Sequence, residues 1–107
     1  MAFVDPEDSK IITLARSARA RNEAREGAAV RDETGRTYAA TNVELAALRL
    51  SAVQAAVAMA VSGGARSLEA AALVTSGEGP SAEDRAVVEE LGAKAFFVAD
   101  PAGTLRD

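Results

Sequence analysis

The chain has 107 residues, enough for one domain with its own core and too few for two, so we predict a single domain over residues 1–107. Its formal net charge is −4, and no strong cluster of Lys and Arg is present, so neither nucleic acid nor a membrane is an expected partner. Cys and His are both absent, which excludes disulfides and leaves the chain without thiol or imidazole chemistry.

The first half of the chain predicts a helix followed by an antiparallel hairpin. Asp-Pro-Glu-Asp at residues 5–8 is typical of a helix start, and an apolar face with helical spacing then continues to about Arg21. The apolar stretch at residues 27–31 predicts a strand. Gly35 predicts the hairpin turn, and residues 36–41 predict the returning strand.

A second helix is predicted from about Glu44 to Ser62, ended by the Gly-Gly pair at residues 63–64. Between Leu45 and Val61 only three residues are polar. A helix that is apolar nearly all round is buried on more than one side. One sheet cannot cover such a helix in so small a domain, so we expect part of it to face another subunit.

The second half of the chain alternates strands and helices. The pattern predicts a buried strand at residues 68–75, a third helix from Ser81 through Leu91, and a last strand from Ala93 to Asp100. This order of elements predicts an α/β fold with three layers, α/β/α. Its mixed sheet should begin with the N-terminal antiparallel hairpin, and its last strands should be joined by a right-handed crossover.

Two further properties bear on location and packing. The N-terminus shows neither the basic start nor the apolar core of a signal peptide, and no apolar run reaches about 18 residues. We therefore expect a cytoplasmic protein. Aromatic residues make up only 4% of the chain, so the core has to be built from Ala, Val and Leu.

Several stretches resemble the cytidine deaminase family. Residues 26–44, EGAAVRDETGRTYAATNVE, resemble the family's strand with GAAL, its turn and second strand, and its NVEN motif. Residues 51–64 align with the helix that carries CAER, and residues 79–92 with the PCGACRQ motif and its helix. The match runs from about residue 8 to 103. It has no gap except just before Ser51, where the family pattern is longer. The resemblance implies a cytidine deaminase-like fold.

The positions that carry chemistry in this family hold other residues here. In the family three ligands bind Zn²⁺, and a Glu two residues after the first ligand transfers protons. Ser51 falls on the first ligand and Val53 on that Glu. Ser81 and Asp84 fall on the two Cys ligands, and Ala24 falls on the aromatic residue that stacks on the base. The resemblance therefore implies degenerate zinc and catalytic positions.

The loss of the metal has a large chemical effect. Zinc lowers the pKa of bound water from about 15.7 to about 7. This lowers the free energy of forming hydroxide by about 11–12 kcal/mol. The hydroxyls of Ser51 and Ser81 are poor zinc ligands, and the one carboxylate of Asp84 cannot hold a tetrahedral site. Val53 cannot transfer a proton. We therefore expect no metal, no cofactor, no catalytic residue and no zinc-hydroxide deamination.

Structural roles are also open to these residues. Ser81 can cap the third helix, where Asp84 in the first turn would stabilise the positive helix end. Ser51 lies within the second predicted helix, where its hydroxyl is expected to bond the carbonyl one turn back.

Asn42 and Glu44 resemble the family's pair that binds the ribose hydroxyl, since an amide and a carboxylate both suit a sugar hydroxyl. Two interpretations remain open. The pair forms a vestigial ribose site, or Asn42 bonds local backbone while Glu44 occupies the first turn of the second helix. Without a stacking aromatic at Ala24, base affinity falls by about 1–3 kcal/mol.

Three functions follow from these patterns. The leading hypothesis is a catalytically inactive protein of this fold that acts through homo-oligomeric assembly or partner binding. The resemblance implies a homodimer or homotetramer, because family members assemble through the second-helix region. The alternative is a sensor that binds a nucleoside-like ligand through Asn42 and Glu44. A third hypothesis is an unconventional hydrolase that uses Asp84 or Glu83, but the sequence shows no pair of residues arranged for such catalysis.

Overall fold

The computed structural model of the chain describes residues 4–106. The elements of this part of the chain are, in order, α1 (Pro6–Asn22), β1 (Glu26–Asp32), β2 (Thr37–Thr41), β3 (Val43–Glu44), β4 (Arg49–Leu50), α2 (Ala52–Ser62), β5 (Leu68–Thr75), α3 (Ala82–Glu90) and β6 (Ala95–Ala99). Four strands form one sheet in the order β2-β1-β5-β6, and β3 pairs with β4 separately. β1 runs antiparallel to β2 and β5, whereas β5 runs parallel to β6, so the main sheet is mixed.

The helices cover both faces of the main sheet. α1 packs on one face, through a cluster that includes Ile11, Ile12, Ala15, Ala29, Ala72 and Val74. α2 and α3 pack on the other face, through a cluster that includes Ala28, Val30, Val53, Ala56, Val57, Leu73 and Val88. Successive residues of β1 alternate between the two clusters, as side chains along a strand do. The predicted three-layer α/β/α fold with its N-terminal antiparallel hairpin is confirmed.

The first helix begins where its sequence predicts. The carboxylate of Asp5 accepts a hydrogen bond from the backbone N–H of Glu7 at 2.8 Å, and Pro6 occupies the first helical position. The helix ends at Asn22, because Glu23 adopts a left-handed backbone conformation with φ 49°.

α1 lies close against β1 at Gly27. A Cβ atom added to Gly27 would lie 2.1 Å from the carbonyl oxygen of Ala15 and 2.9 Å from the backbone nitrogen of Arg19. The absence of a side chain at Gly27 therefore sets how closely the first layer lies on the sheet.

The hairpin turn between β1 and β2 is organised by the buried carboxylate of Asp32. This carboxylate accepts hydrogen bonds from the backbone and hydroxyl of Thr34, the backbone N–H of Arg36 and the hydroxyl of Tyr38. Burial opposes ionisation of Asp32, but these hydrogen bonds outweigh it and lower its pKa. Gly35 has φ 88° in the turn, as its predicted position requires.

The predicted start of the second helix at Glu44 is wrong. α2 begins at Ala52, and Ser51 is its N-cap with extended backbone (ψ 164°). The hydroxyl of Ser51 accepts from the N–H of Gln54 at 3.0 Å, and the Gln54 side chain accepts from the N–H of Ser51 at 3.0 Å. This reciprocal pair is a capping box. The predicted place of Ser51 inside the helix is therefore also wrong.

The residues before Ser51 form a short hairpin instead of helix. Val43 pairs with Leu50 and Glu44 with Arg49, and the N–H of Leu45 donates to the carbonyl of Leu48 at 2.9 Å. Good helix formers therefore occupy a turn, because pairing of the two short strands overrides their intrinsic preference.

Four large apolar side chains are exposed in the described part of the chain: Leu45 (59%), Leu48 (49%), Met59 (48%) and Val61 (48%). The first two lie at the tip of the β3–β4 hairpin, and the other two lie near the end of α2. α2 therefore buries one face in the core and leaves an apolar surface outside. Among residues 4–106, no helix has both the length and the apolar character needed to cross a membrane.

Candidate functional site

The N-termini of α2 and α3 are joined by hydrogen bonds among Ser51, Ser81 and Asp84. The hydroxyl of Ser51 donates to Oδ1 of Asp84 at 2.5 Å. Ser81 is the N-cap of α3: its hydroxyl accepts from the N–H of Asp84 at 3.0 Å, and Oδ2 of Asp84 accepts from the N–H of Ser81 at 3.3 Å. We call this group the capping cluster. Its three residues are the positions that the sequence aligned with zinc ligands, and the predicted cap at Ser81 is confirmed.

Asp84 is the centre of the capping cluster. Its side chain is buried, with the residue 3% exposed, and each of its carboxylate oxygens accepts a hydrogen bond. A buried carboxylate is costly unless it is hydrogen-bonded. Its position in the first turn of α3 adds the favourable interaction of a negative charge with a helix N-terminus. The carboxylate therefore holds the two helix starts together.

The residues of the capping cluster do not fit a zinc site. The Ser51 hydroxyl is engaged both as donor to Asp84 and as acceptor from Gln54. Val53 is buried in the core and 1% exposed, so no proton-transferring group stands at its position. Residues 4–106 contain no group of three or more His, Cys, Asp or Glu side chains that could hold a metal ion. Hydroxyls and a single carboxylate cannot replace the nitrogen and sulfur ligands of tetrahedral zinc.

Asn42 and Glu44 contact each other, and Asn42 also bonds backbone, although at a residue 16 positions away and not locally as predicted. Nδ2 of Asn42 donates to Oε2 of Glu44 at 2.5 Å, and Oδ1 of Asn42 accepts from the backbone N–H of Glu26 at 3.1 Å. Asn42 thus bonds backbone at a strand end. Glu44 lies in β3 and not in the first turn of a helix, so that part of the prediction is wrong.

Arg25 completes this group. Its Nη1 lies 3.2 Å from Oε2 of Glu44, and both side chains are largely exposed. Arg25 was not predicted as a site residue, and its only sequence signal is its place beside Ala24, where the family has the stacking aromatic. An exposed ion pair of this kind contributes about 0–1 kcal/mol to stability.

A cavity of about 240 Å³ lies between this group and the capping cluster. Its lining residues are Arg25, Val43, Glu44, Arg49, Leu50 and Ser51. The fold therefore places Glu44 and Ser51 on one cavity, although seven positions separate them in the sequence. Asn42, Val53, Ser81 and Asp84 do not line it.

Glu26 is a further carboxylate that the sequence did not single out. Its Oε1 accepts from the backbone N–H of Ala52 at 3.3 Å, so an acidic side chain from β1 reaches the first residue of α2. This contact satisfies one of the N–H groups that a helix start leaves free. Glu26 thus has a structural partner already.

Comparison with known proteins agrees with the overall fold. The family model described as cytidine deaminase-like matches residues 4–103. The chain is similar to the crystal structure of cytidine deaminase from Burkholderia pseudomallei, with 28% identity and a TM-score of 0.75 over 91% of this chain and 87% of that chain. Cytidine deaminase from Mycobacterium tuberculosis gives 27% identity and a TM-score of 0.71 over 95% of this chain and 90% of that chain. Among curated proteins no match was found.

Proposed function

Because the chain belongs to the cytidine deaminase-like family, we propose that it is a catalytically inactive member that acts through homo-oligomeric assembly or through binding of a partner. The observation that carries this proposal is the capping cluster. Side chains at the family's three ligand positions bond to one another and to helix backbone, so their polar atoms are already used.

The chemistry of the cleft supports inactivity. Deamination by this family's route needs a metal-activated water and a group that carries protons. Ser51, Ser81 and Asp84 supply neither imidazole nor thiolate, and Val53 supplies no ionisable group. Without a metal, the ionisation of water to the hydroxide that attacks the base costs about 11–12 kcal/mol more.

The apolar surface outside the core supports assembly. Met59 and Val61 lie on the outer side of α2, and Leu45 and Leu48 form the tip of the neighbouring hairpin. Burying such side chains against a second chain is favourable by about 25 cal/mol per Å² of apolar surface. A homodimer or homotetramer is the assembly that we propose.

We expect wild-type protein at micromolar concentration to contain more than one chain per particle when its mass is measured by light scattering. The double substitution Met59→Glu and Val61→Glu places two charges in the apolar surface, and we expect it to raise the dissociation constant at least about tenfold, the equivalent of about 1.4 kcal/mol. Ala86→Glu on the exposed side of α3 is the matched control and should leave the mass unchanged. A wild-type monomer would contradict assembly through this surface.

A specific observation favours the alternative, a sensor for a nucleoside-like ligand. Glu44 lines the 240 Å³ cavity, and Asn42 holds its carboxylate by a hydrogen bond. A carboxylate fixed in this way can accept hydrogen bonds from sugar hydroxyls.

One experiment tests inactivity and the alternative together. We expect that incubation with millimolar cytidine, followed by proton NMR, gives no uridine, whereas the cytidine deaminase of Burkholderia pseudomallei assayed in parallel converts it. Amide shifts of Glu44 and Ser51 in the same samples report binding. Saturable shifts would support the sensor, and their absence would exclude cytidine as its ligand. Turnover accompanied by one tightly held zinc per chain would overturn the proposal of inactivity.

A further inference from the structure

The residues that follow β6 turn back and lie beside it, at the edge of the main sheet. The carboxylate of Asp100 makes the turn: its Oδ1 accepts hydrogen bonds from the backbone N–H of Ala102 at 2.9 Å and of Thr104 at 3.0 Å. Residues 102–106 can then run against β6 in the opposite direction. We call residues 100–106 the strap.

The strap is attached to the body of the domain at two places before its last residue. Nε of Arg16, on α1, donates to the carbonyl oxygen of Pro101 at 3.0 Å. Leu105 pairs antiparallel with Ala99 of β6, and its side chain packs against the core cluster on the α1 side of the sheet. These contacts fix the course of the strap up to Leu105.

Arg106 reaches from the strap to the end of β5. Its Nη1 donates to the carbonyl oxygen of Gly77 at 2.6 Å, and its Nη2 donates to the carbonyl oxygen of Thr75 at 3.1 Å. Its backbone N–H donates to the carbonyl oxygen of Val98 at 2.7 Å, so the base of the side chain is also fixed. The planar guanidinium presents several donors in a rigid fork, and here the fork holds two carbonyls at once.

The segment that Arg106 holds is the β5–α3 loop, residues 76–80. Two of its five residues are glycines, and Gly79 has φ 117°, so the loop's own sequence restrains it little. Within the part of the chain that the structure describes, the only other hydrogen bond of this loop is local, from the N–H of Gly77 to the hydroxyl of Thr75 at 3.0 Å. The fork of Arg106 is therefore the main restraint on the loop.

The β5–α3 loop leads directly into the capping cluster. It is followed by Ser81, whose N–H donates to Asp84, and Asp84 also accepts from the hydroxyl of Ser51. Ser51 caps α2 and lines the 240 Å³ cavity. A continuous series of bonded groups thus connects Arg106 with the wall of that cavity.

We propose that the strap is a conformational device in which Arg106 holds the β5–α3 loop and, through it, keeps the capping cluster and the start of α2 in place. Arg106 is a positioning residue, because it acts on the cavity wall only through these other groups. Coupling of this kind requires that a change at one end of the series alters the other end. The proposal depends neither on a ligand in the cavity nor on assembly through α2.

Arg106→Met removes both donors and keeps a long side chain, and NMR relaxation and amide shifts report the effect. The amide order parameters of Gly77 and Gly79 are expected to fall from about 0.85 to below about 0.6, the range of a flexible loop. The amide shifts of Asp84 and Gln54 should move as well, because both N–H groups bond hydroxyls of the capping cluster. Arg106→Lys should show a smaller loss of order, since one ammonium can replace only part of the fork.

Arg66→Met is the matched control. Arg66 is an exposed arginine before the start of β5, at the opposite end of that strand from Thr75, and its loss should leave the loop and the capping cluster unchanged. Shifts of Asp84 and Gln54 that stay at their control values would overturn the proposed link to the capping cluster, even if the loop loses order. Unchanged order at Gly77, or equal losses in the Lys and Met variants, would contradict the hold of Arg106 on the loop.

Discussion

Replacing Asp84 with Ala is expected to lower the free energy of unfolding by about 3 kcal/mol. The substitution removes the acceptor of the Ser51 hydroxyl and the acceptor of the Ser81 N–H, both at partly buried sites. It also removes a negative charge from the first turn of α3, where such a charge is stabilising. Urea denaturation followed by circular dichroism measures the change.

Glu83→Ala is the matched control for this prediction. Glu83 is a carboxylate in the same turn of α3, but it is exposed, so its loss should cost no more than about 0.5–1 kcal/mol. Equal losses for the two variants would show that only the helix charge matters and that the capping cluster does not join the helices. Asp84→Asn, which keeps one acceptor oxygen, should fall between them.

Gly27→Ala is expected to destabilise the fold by about 3 kcal/mol or more, the upper end for overpacked sites. The added methyl would lie 2.1 Å from the carbonyl oxygen of Ala15 and 2.9 Å from the backbone nitrogen of Arg19. Both contacts are backbone atoms of α1 and cannot rotate away, so the whole helix has to move off the sheet. The midpoint of urea or thermal unfolding would report the loss.

Gly77→Ala serves as the control for Gly27→Ala. A Cβ at Gly77 would meet only the hydroxyl oxygen of Thr75, at 3.4 Å, so the change should lie within about 0.5 kcal/mol. If Gly27→Ala were equally mild, α1 would be free to shift, and the close contact of the first layer with β1 would not be a constraint.

Most of the fold could be predicted from local patterns. The Asp-Pro start of α1, the Gly35 turn and the buried strand at Leu68–Thr75 all have short-range signals, and the structure contains each of them. The start of α2 was missed although its signal is present. Ser51 and Gln54 have the spacing of a capping box, but the apolar residues from Leu45 onward resemble a longer helix.

The site was less predictable, because its contacts join distant parts of the chain. The resemblance placed Ser51, Ser81 and Asp84 at one locus, yet only the structure shows that Ser51 donates directly to a carboxylate 33 positions away. The contact of Arg31 with Asp8 and Glu69 joins three elements and has no local signal. Such pairs follow from the packing of finished elements and not from sequence spacing.

The link between Ser51 and Asp84 also bears on how the protein matures. Every atom of this link is supplied by the polypeptide, so the two helix starts are joined as soon as the chain has folded. The link itself needs no group from outside the polypeptide. We therefore expect newly made chains to reach their finished form equally fast in zinc-starved and zinc-replete cells.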